Sequence, residues 1–395
     1  MSKKIEFLDL GQQPLANYYF NKSQKKKKER KYRLIVCFDN QNKLVSIKKT
    51  FSSKMMFNNK YPYRSSMSKT MQRSFKELAK HIKLKINPKK ILEIGSNDGS
   101  FLKNFNKSMS VGIEPCTNVE KITKKKKFNT IPKYWNTKLA RDILKKYGYF
   151  DLIYSANTIS HIKNLNDVFS SIDLVLSKTG IFIIEDPSLI ECLKRNTYDQ
   201  FYNEHIYVFS YLSLRNILKK YNLEIYKIEN LDIHGGSNRY FIKRMKNKIK
   251  IEKSVIKQKR KEMKYGLNKK NTYYKFRKRV EESKKKLVSI FNYCKSKNKK
   301  IIGYGATAKS TTILNYCNIN DQTIDYFIDT TQDKQNKYTP GTKIKIKKYK
   351  GGINKDVDYV FLGAWNFKKE IFKKEKKYIK RGGKFIIHTP LPRIV

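Results

Sequence analysis

Between residues 90 and 245 the apolar positions fall into short unbroken runs, separated by stretches with helical spacing. The runs ILEI (91–94), SVGIEP (110–115), FDLIYSAN (150–157) and GIFIIEDP (180–187) read as strands, and the segments between them as helices. Strands alternating with helices predict a parallel sheet covered on both faces. LEIYKIENLDIHGGSNRYFIKR (223–244) predicts two more strands joined by a turn, an antiparallel pair at the sheet edge. Residues 246–299 read as a lysine-rich helical segment. At 301 the alternation restarts, with strand IIGYGA, helix TAKSTTILNYC, strands TIDYFIDT and DYVFLGAW, helix KKEIFKKEKKYIK and strand KFIIHTP. Ahead of the helix that begins near residue 71 there are only turns and short strand-like pieces, YRLIVCF and KLVSIKKTF. The expected fold class is α/β. A small N-terminal module (1–70) precedes a central Rossmann-like domain (71–245), and a linker helix leads into a second Rossmann-like domain (246–395).

Composition narrows the classes open to such a chain. Its 395 residues are 39 % hydrophobic and include 27 Tyr and 22 Phe, enough for several cores. No apolar run approaches the roughly 18 residues of a membrane span, and the N-terminus MSKKIEFLDLG lacks an export signal. A cytoplasmic protein with no membrane partner is expected. The five cysteines are scattered singly, which fits a reducing compartment and gives no four-cysteine zinc site. The net charge of +55 would suit a nucleic-acid partner. However, the lysines are spread through every loop and exposed helix, without the aromatic-interleaved stripe of RNA-binding modules. No nucleic-acid partner is expected, and a small polyanion such as a nucleotide diphosphate suits the surface better.

Two glycine turns carry candidate chemistry. EIGSNDG places Glu93, Gly95, Ser96, Asn97, Asp98 and Gly99 at the end of the first central strand. An acid before the first glycine is the form taken by S-adenosylmethionine turns, and Asn97 tolerates the left-handed backbone needed there. Glu114 ends the next strand 19 residues past Gly95, where a carboxylate can accept both ribose hydroxyls. Asn157, closing the third strand, completes the cofactor set. GYGATAK (303–309) repeats the device in the C-terminal unit, with Asp329 26 residues past Gly303 and Lys309 near the phosphates of a bound nucleotide. Taken alone, this second turn could equally be scaffold.

Ten collinear stretches resemble a known family, the bacterial sugar C-methyltransferases of deoxysugar pathways such as those of mycarose or tetronitrose. They include LGQQPLAN (10–17), YPYRSSMS (61–68), LEIGSNDGSFL (92–102), SANTISHI (155–162), FYNEHIYVFS (201–210), HGGSNRYF (234–241) and GYGATAKSTTILNYC (303–317). The resemblance implies a three-part, S-adenosylmethionine-dependent enzyme that methylates carbon 3 of a nucleotide-linked 4-keto sugar. Its N-terminal module commonly holds zinc through two C-x-x-C pairs. Here only Cys37 remains, with Asn40 in its partner's place, so zinc is not expected. The family motif Tyr-His-Glu-His falls on Tyr202, Asn203, Glu204 and His205, whose tyrosine, glutamate and second histidine it implies are catalytic.

Carbon becomes a nucleophile only after a proton beside a ketone is removed, so a base and an enolate donor are required. His205, which titrates near neutrality, is the expected base. Glu204 would bind a sugar hydroxyl or hold the histidine tautomer, and Tyr202 and Tyr63 would donate to the enolate or sugar. His161 would face the sulfonium. Ser65, Ser66, Asn203, His234, Gly235, Gly236, Lys309 and Asp329 are expected substrate contacts. His81, His388, Trp135 and Trp365 read as structural. From composition alone the Tyr202–His205 cluster would be a polar helix face. The chain is expected to act as a monomer or weak dimer. The rival functions are an RNA or other small-molecule methyltransferase, and a sugar-nucleotide protein that enolises or epimerises without transferring methyl.

Overall fold

The computed structural model describes residues 4–395. Strands β1 (Ile5–Gln13), β2 (Tyr32–Asp39) and β3 (Leu44–Ile47) form an antiparallel N-terminal sheet. The central unit runs β4 (Ile91–Ile94), β5 (Ser110–Ile113), β6 (Asn129–Ile131), β7 (Phe150–Ala156) and β8 (Leu176–Pro187). A two-residue strand, β9 (Tyr207–Val208), leaves this unit to pair with β3, so the N-terminal sheet is completed from outside residues 1–70. β10 (Leu223–Leu231) and β11 (Ser237–Arg244) then close the central sheet, in the order β10-β11-β8-β7-β4-β5-β6. The C-terminal sheet contains β12 (Ile301–Tyr304), β13 (Tyr326–Asp329), β14 (Lys345–Lys348), β15 (Tyr359–Leu362), β16 (Lys384–Ile387) and β17 (Arg393–Ile394), in the order β14-β13-β12-β15-β16-β17.

The pairings follow from the residues. All four residues of β4 and of β12 are buried, because helices cover both faces of a parallel sheet. The helix Lys69–Lys85 buries Met71, Phe75, Leu78, Ala79 and Ile82, one stripe at helical spacing, and Ser68 caps it by accepting from the Met71 N–H. The lysine-rich segment is two helices, Lys253–Tyr265 and Lys270–Ser296, and it is packed on both sides. Tyr273 lies 5.0 Å from Phe7 and 4.2 Å from Phe38, ring to ring, while Phe291 lies 5.7 Å from Phe361. The long helix therefore joins the N-terminal sheet to the C-terminal one through its apolar stripe.

Each parallel sheet reverses its winding beside its first strand, between β4 and β7 in one and between β12 and β15 in the other. Loops part at such a switch point and leave a crevice at the strand ends. The two crevices open onto one shared cleft of about 700 Å³.

Candidate functional site

The cofactor side of the cleft is set by backbone geometry at the end of β4. Gly95 has φ +77°, and a Cβ there would lie 2.0 Å from the Thr158 hydroxyl oxygen, so only glycine lets the two loops of the switch point meet. Asn97 follows at φ +46°, in the left-handed region expected of it. Glu114 holds this turn: its carboxylate accepts the Asn97 N–H at 3.0 Å and the Cys116 N–H at 2.8 Å. Burial raises the Glu114 carboxyl, opposed by those hydrogen bonds. Glu93 is pushed well above its ordinary value by burial and by the charges of Asp98 and Glu114, and its Oε2 has no protein partner. Ser96 Oγ is likewise unpartnered. Glu93, Gly95, Ser96, Asn97, Glu114 and Asn157 all line the cleft. Asp98 and Gly99 do not. Asp98 instead accepts the Ser66 N–H at 3.0 Å and the Ser100 hydroxyl at 2.6 Å, and Gly99 packs toward the Phe128 ring. With the Ser65 N–H donating to Asn97 at 2.9 Å, this turn anchors the segment that carries Tyr63. Tyr63 and Ser65 are on the cleft wall, whereas Ser66 reaches this region through its backbone only.

The stretch Tyr202–His205 is a turn, not a helix face, between the short helix Tyr198–Gln200 and β9. The Ile47 N–H donates to the Ile206 carbonyl at 2.9 Å and so ties this turn to the N-terminal sheet. Within it, His205 Nδ1 lies 2.8 Å from the Gln200 carbonyl oxygen, and Nε2 lies 2.6 Å from the Tyr202 hydroxyl. A carbonyl only accepts, so Nδ1 carries the hydrogen and Nε2 receives the tyrosine O–H. Gln200, not Glu204, therefore fixes the tautomer. Burial holds His205 well below its ordinary value, reinforced by His161 and Lys309 and opposed by the bond to Gln200. The imidazole is thus neutral at pH 7.

Several expected contacts lie elsewhere. Glu204 is buried behind the wall, where its Oε1 accepts from Asn17 Nδ2 at 2.8 Å, and it is Asn17 that lines the cleft. Burial raises the Glu204 carboxyl to about 7, opposed by the Asn17 bond. Asn203 is no cleft residue; its Nδ2 donates to the Pro14 carbonyl at 2.8 Å and pins the N-terminal segment. Gly235 and Gly236 are packing glycines. A Cβ at Gly235 would lie 2.3 Å from the Trp365 ring, and one at Gly236 2.8 Å from Glu191 Cβ. His234, between them and the wall, does line the cleft. Burial lowers it to about 3, and its Nε2 has no partner. His161 faces the cleft with both ring nitrogens unpartnered, 4.9 Å ring to ring from His205, and burial lowers it to about 4.

The C-terminal side repeats the first turn. Asp329 ends β13 and accepts the Ala306 N–H at 2.9 Å and the Thr331 N–H at 2.8 Å, just as Glu114 holds Asn97 and Cys116. A Cβ at Gly305 would lie 2.4 Å from Ala364 Cβ. Lys334 stands at this turn, its Nζ donating to the Ala306 carbonyl at 2.7 Å. Lys309, in the first turn of the helix that follows, lines the same cleft with its ammonium 5.2 Å from the Trp365 ring centroid. Trp365 packs against the core of the C-terminal sheet, as expected, and its Nε1 donates to the buried Asp199 at 2.6 Å, whereas Trp135, also expected in the core, lines the cleft. Asn17, Trp135, Gln200 and Lys334 line the cleft but were not singled out as site residues. Asn17 falls in LGQQPLAN and Gln200 beside the Tyr202–His205 stretch, but only the fold brings them together.

Family models match two parts of the chain, a methyltransferase domain over residues 63–228 and a C-methyltransferase C-terminal domain over 232–390. The C-methyltransferase NovU of Streptomyces niveus is 29 % identical over 307 residues, which is 77 % of this chain and 73 % of that protein. A solved S-adenosylmethionine-dependent methyltransferase from Clostridium acetobutylicum is 14 % identical, covering 44 % of this chain and 92 % of its own, with TM-score 0.35. One from Anabaena variabilis is 16 % identical, covering 44 % and 84 %, also with TM-score 0.35. Likenesses this slight carry no argument.

Proposed function

We propose that this chain, an S-adenosylmethionine-dependent C-methyltransferase, methylates carbon 3 of a nucleotide-linked 4-keto deoxysugar through an enolate. The observation that carries the reading is the Tyr202–His205 pair on a cleft shared by both glycine turns. The methyl donor belongs on the β4 side. There Glu114 offers its remaining lone pairs to ribose hydroxyls, and the Glu93 carboxyl and Ser96 hydroxyl offer unpartnered polar atoms. When bound, the donor supplies an electrophilic methyl group on a sulfonium. The nucleotide of the sugar belongs against Asp329, Gly305 and Lys334, where the same turn is built again.

Between the two, Tyr202 meets the substrate. As its phenolic oxygen takes the proton from carbon 3, its own proton passes to His205 Nε2 over the 2.6 Å hydrogen bond. The Gln200 carbonyl holds the resulting imidazolium through Nδ1–H. His161, neutral and unpartnered, is available to a sugar hydroxyl. Such a site would serve deoxysugar synthesis for capsule, lipopolysaccharide or a secondary metabolite.

The test is incubation with methyl-labelled S-adenosylmethionine and a panel of dTDP-, GDP- and CDP-linked 4-keto sugars, with bulk RNA alongside, followed by mass spectrometry. Label is expected on a sugar nucleotide; label on RNA alone would refute the reading.

Two further outcomes follow. Together with burial, ionised Glu204 holds the Tyr202 phenol up and so hinders the handover of its proton to His205; methyl transfer should therefore fall as pH rises through about 7, where Glu204 loses its proton. That limb should disappear from the pH–rate profile of Glu204→Gln. Glu114→Ala strips two backbone N–H groups of a charged acceptor and removes the ribose partner. Hydrogen bonds to charged groups are each worth about 1.5–3 kcal/mol. Calorimetry should therefore show donor affinity reduced at least about tenfold, with sugar-nucleotide affinity unchanged.

A further inference from the structure

We propose that Lys309 is the counter-charge for the enolate oxygen, a catalytic role rather than a phosphate contact; the proposal rests on the carbon-methylation reading above. The side chain leaves the first turn of the helix Ala308–Tyr316 and lines the cleft, yet is only 8 % exposed. Among the described residues no hydrogen bond or ion pair engages its ammonium, and its recorded contact is the face of Trp365, 5.2 Å from the ring centroid. That platform is built firmly. The Trp365 Nε1 donates to Asp199 at 2.6 Å, Asp199 also meets His388 Nε2 at 3.2 Å, and the glycine at 235 leaves room for the indole.

The ammonium thus lies on the cleft wall over the Trp365 ring, with the Asp199 carboxylate that holds the indole near enough to favour its charged form. It is close enough to depress the basicity of both His205 and His234. Burial lowers the lysine itself, while Asp199 opposes that shift and favours the ammonium. Asp199 favours the ammonium without hydrogen-bonding to it, so the donors of Lys309 stay open to negative charge that develops in the cleft, and such a preorganised charge favours the transition state over the ground state. Phosphate has a better-placed partner in Lys334, at the glycine turn itself.

The electron bookkeeping needs no proton from the lysine. As the base removes the carbon-bound proton, the C–H pair becomes the new C=C bond and the carbonyl π pair moves to oxygen, where it faces the ammonium. On methyl transfer, the oxygen pair restores C=O and the C=C pair forms the bond to methyl. The C–S pair stays on sulfur as the neutral thioether.

The experiment compares full-length wild type, Lys309→Met and Lys309→Arg with dTDP-, GDP- and CDP-linked 4-keto sugars in heavy water without methyl donor. Deuterium at carbon 3 is followed by NMR. Binding of free dTDP, GDP, CDP and S-adenosylmethionine is measured on the same samples, and the last also reports the fold. Lys309→Met should slow exchange by about 10²–10³-fold, the cost of one lost oxyanion partner, with all binding unchanged and Lys309→Arg intermediate. Exchange at the wild-type rate in Lys309→Met, with weakened nucleotide binding, would overturn the proposal and return the lysine to phosphate. Trapping of a wild-type lysine–sugar adduct by borohydride would overturn it in favour of covalent chemistry. A wild type that exchanges none of the sugars would overturn the carbon-methylation reading, and this proposal with it.

Discussion

His205→Ala is expected to lower methyl transfer by about 10³–10⁴-fold, near the upper end of what a positioned base contributes, with donor affinity unchanged. The size follows from the geometry. Removing the imidazole takes away the only hydrogen-bond partner recorded for the Tyr202 hydroxyl among the described residues. That phenol is already held well above its ordinary value by burial and by Glu204, so on its own it cannot lose its proton near neutrality. Tyr202→Phe should cost a comparable factor, and the double variant little more than either single one, because residues acting as one proton-transfer unit are not additive. Single-turnover rates with saturating donor would check this. Full additivity of the two variants would mean that tyrosine and histidine act separately.

Arg239→Met should destabilise the fold by about 3–5 kcal/mol, the cost of leaving one buried charge without its partner. Arg239, 5 % exposed, gathers three elements around itself. It meets Glu185 of β8 at 2.8 Å, Glu229 of β10 at 2.8 Å and the Ser74 hydroxyl of the helix Lys69–Lys85 at 3.1 Å. Glu185 is fully buried, with one oxygen already unpartnered. The first urea transition should move to lower concentration with its slope retained. Adding Glu185→Gln should recover part of the loss, since a neutral amide tolerates burial that a lone carboxylate does not.

What could be read from the sequence, and what could not, divides by distance along the chain. The run Ile91–Ile94 is strand by pattern and strand in the fold, because a parallel strand buried on both faces must be apolar throughout. The glycine turns were legible because backbone demands at Gly95 and Asn97 leave a local trace. The turn at Tyr202–His205 was harder. Residues 198–214 are rich in apolar and aromatic residues without a clean period, and a turn here depends on β9 pairing with β3, about 160 residues earlier in the chain. No local pattern encodes that pairing. Asn17 meets Glu204 across 187 residues, and Asn203 meets Pro14 across 189. Asn203 and Glu204 therefore looked like site residues when one anchors the N-terminal segment and the other stands behind the wall. Lys309 stands beside GYGA, which suggests phosphate, but the ring that its ammonium meets, Trp365, lies 56 residues further on.

The most direct test concerns the atom that receives the methyl group. The protein should be supplied with S-adenosylmethionine carrying a ¹³C methyl group and with whichever nucleotide-linked 4-keto sugar it labels, and the product's new carbon located by NMR. A methyl carbon bonded to carbon 3 of the sugar is the predicted result. A methyl carbon bonded to oxygen would contradict the account, because an oxygen nucleophile needs neither an enolate nor the Tyr202–His205 pair that produces one.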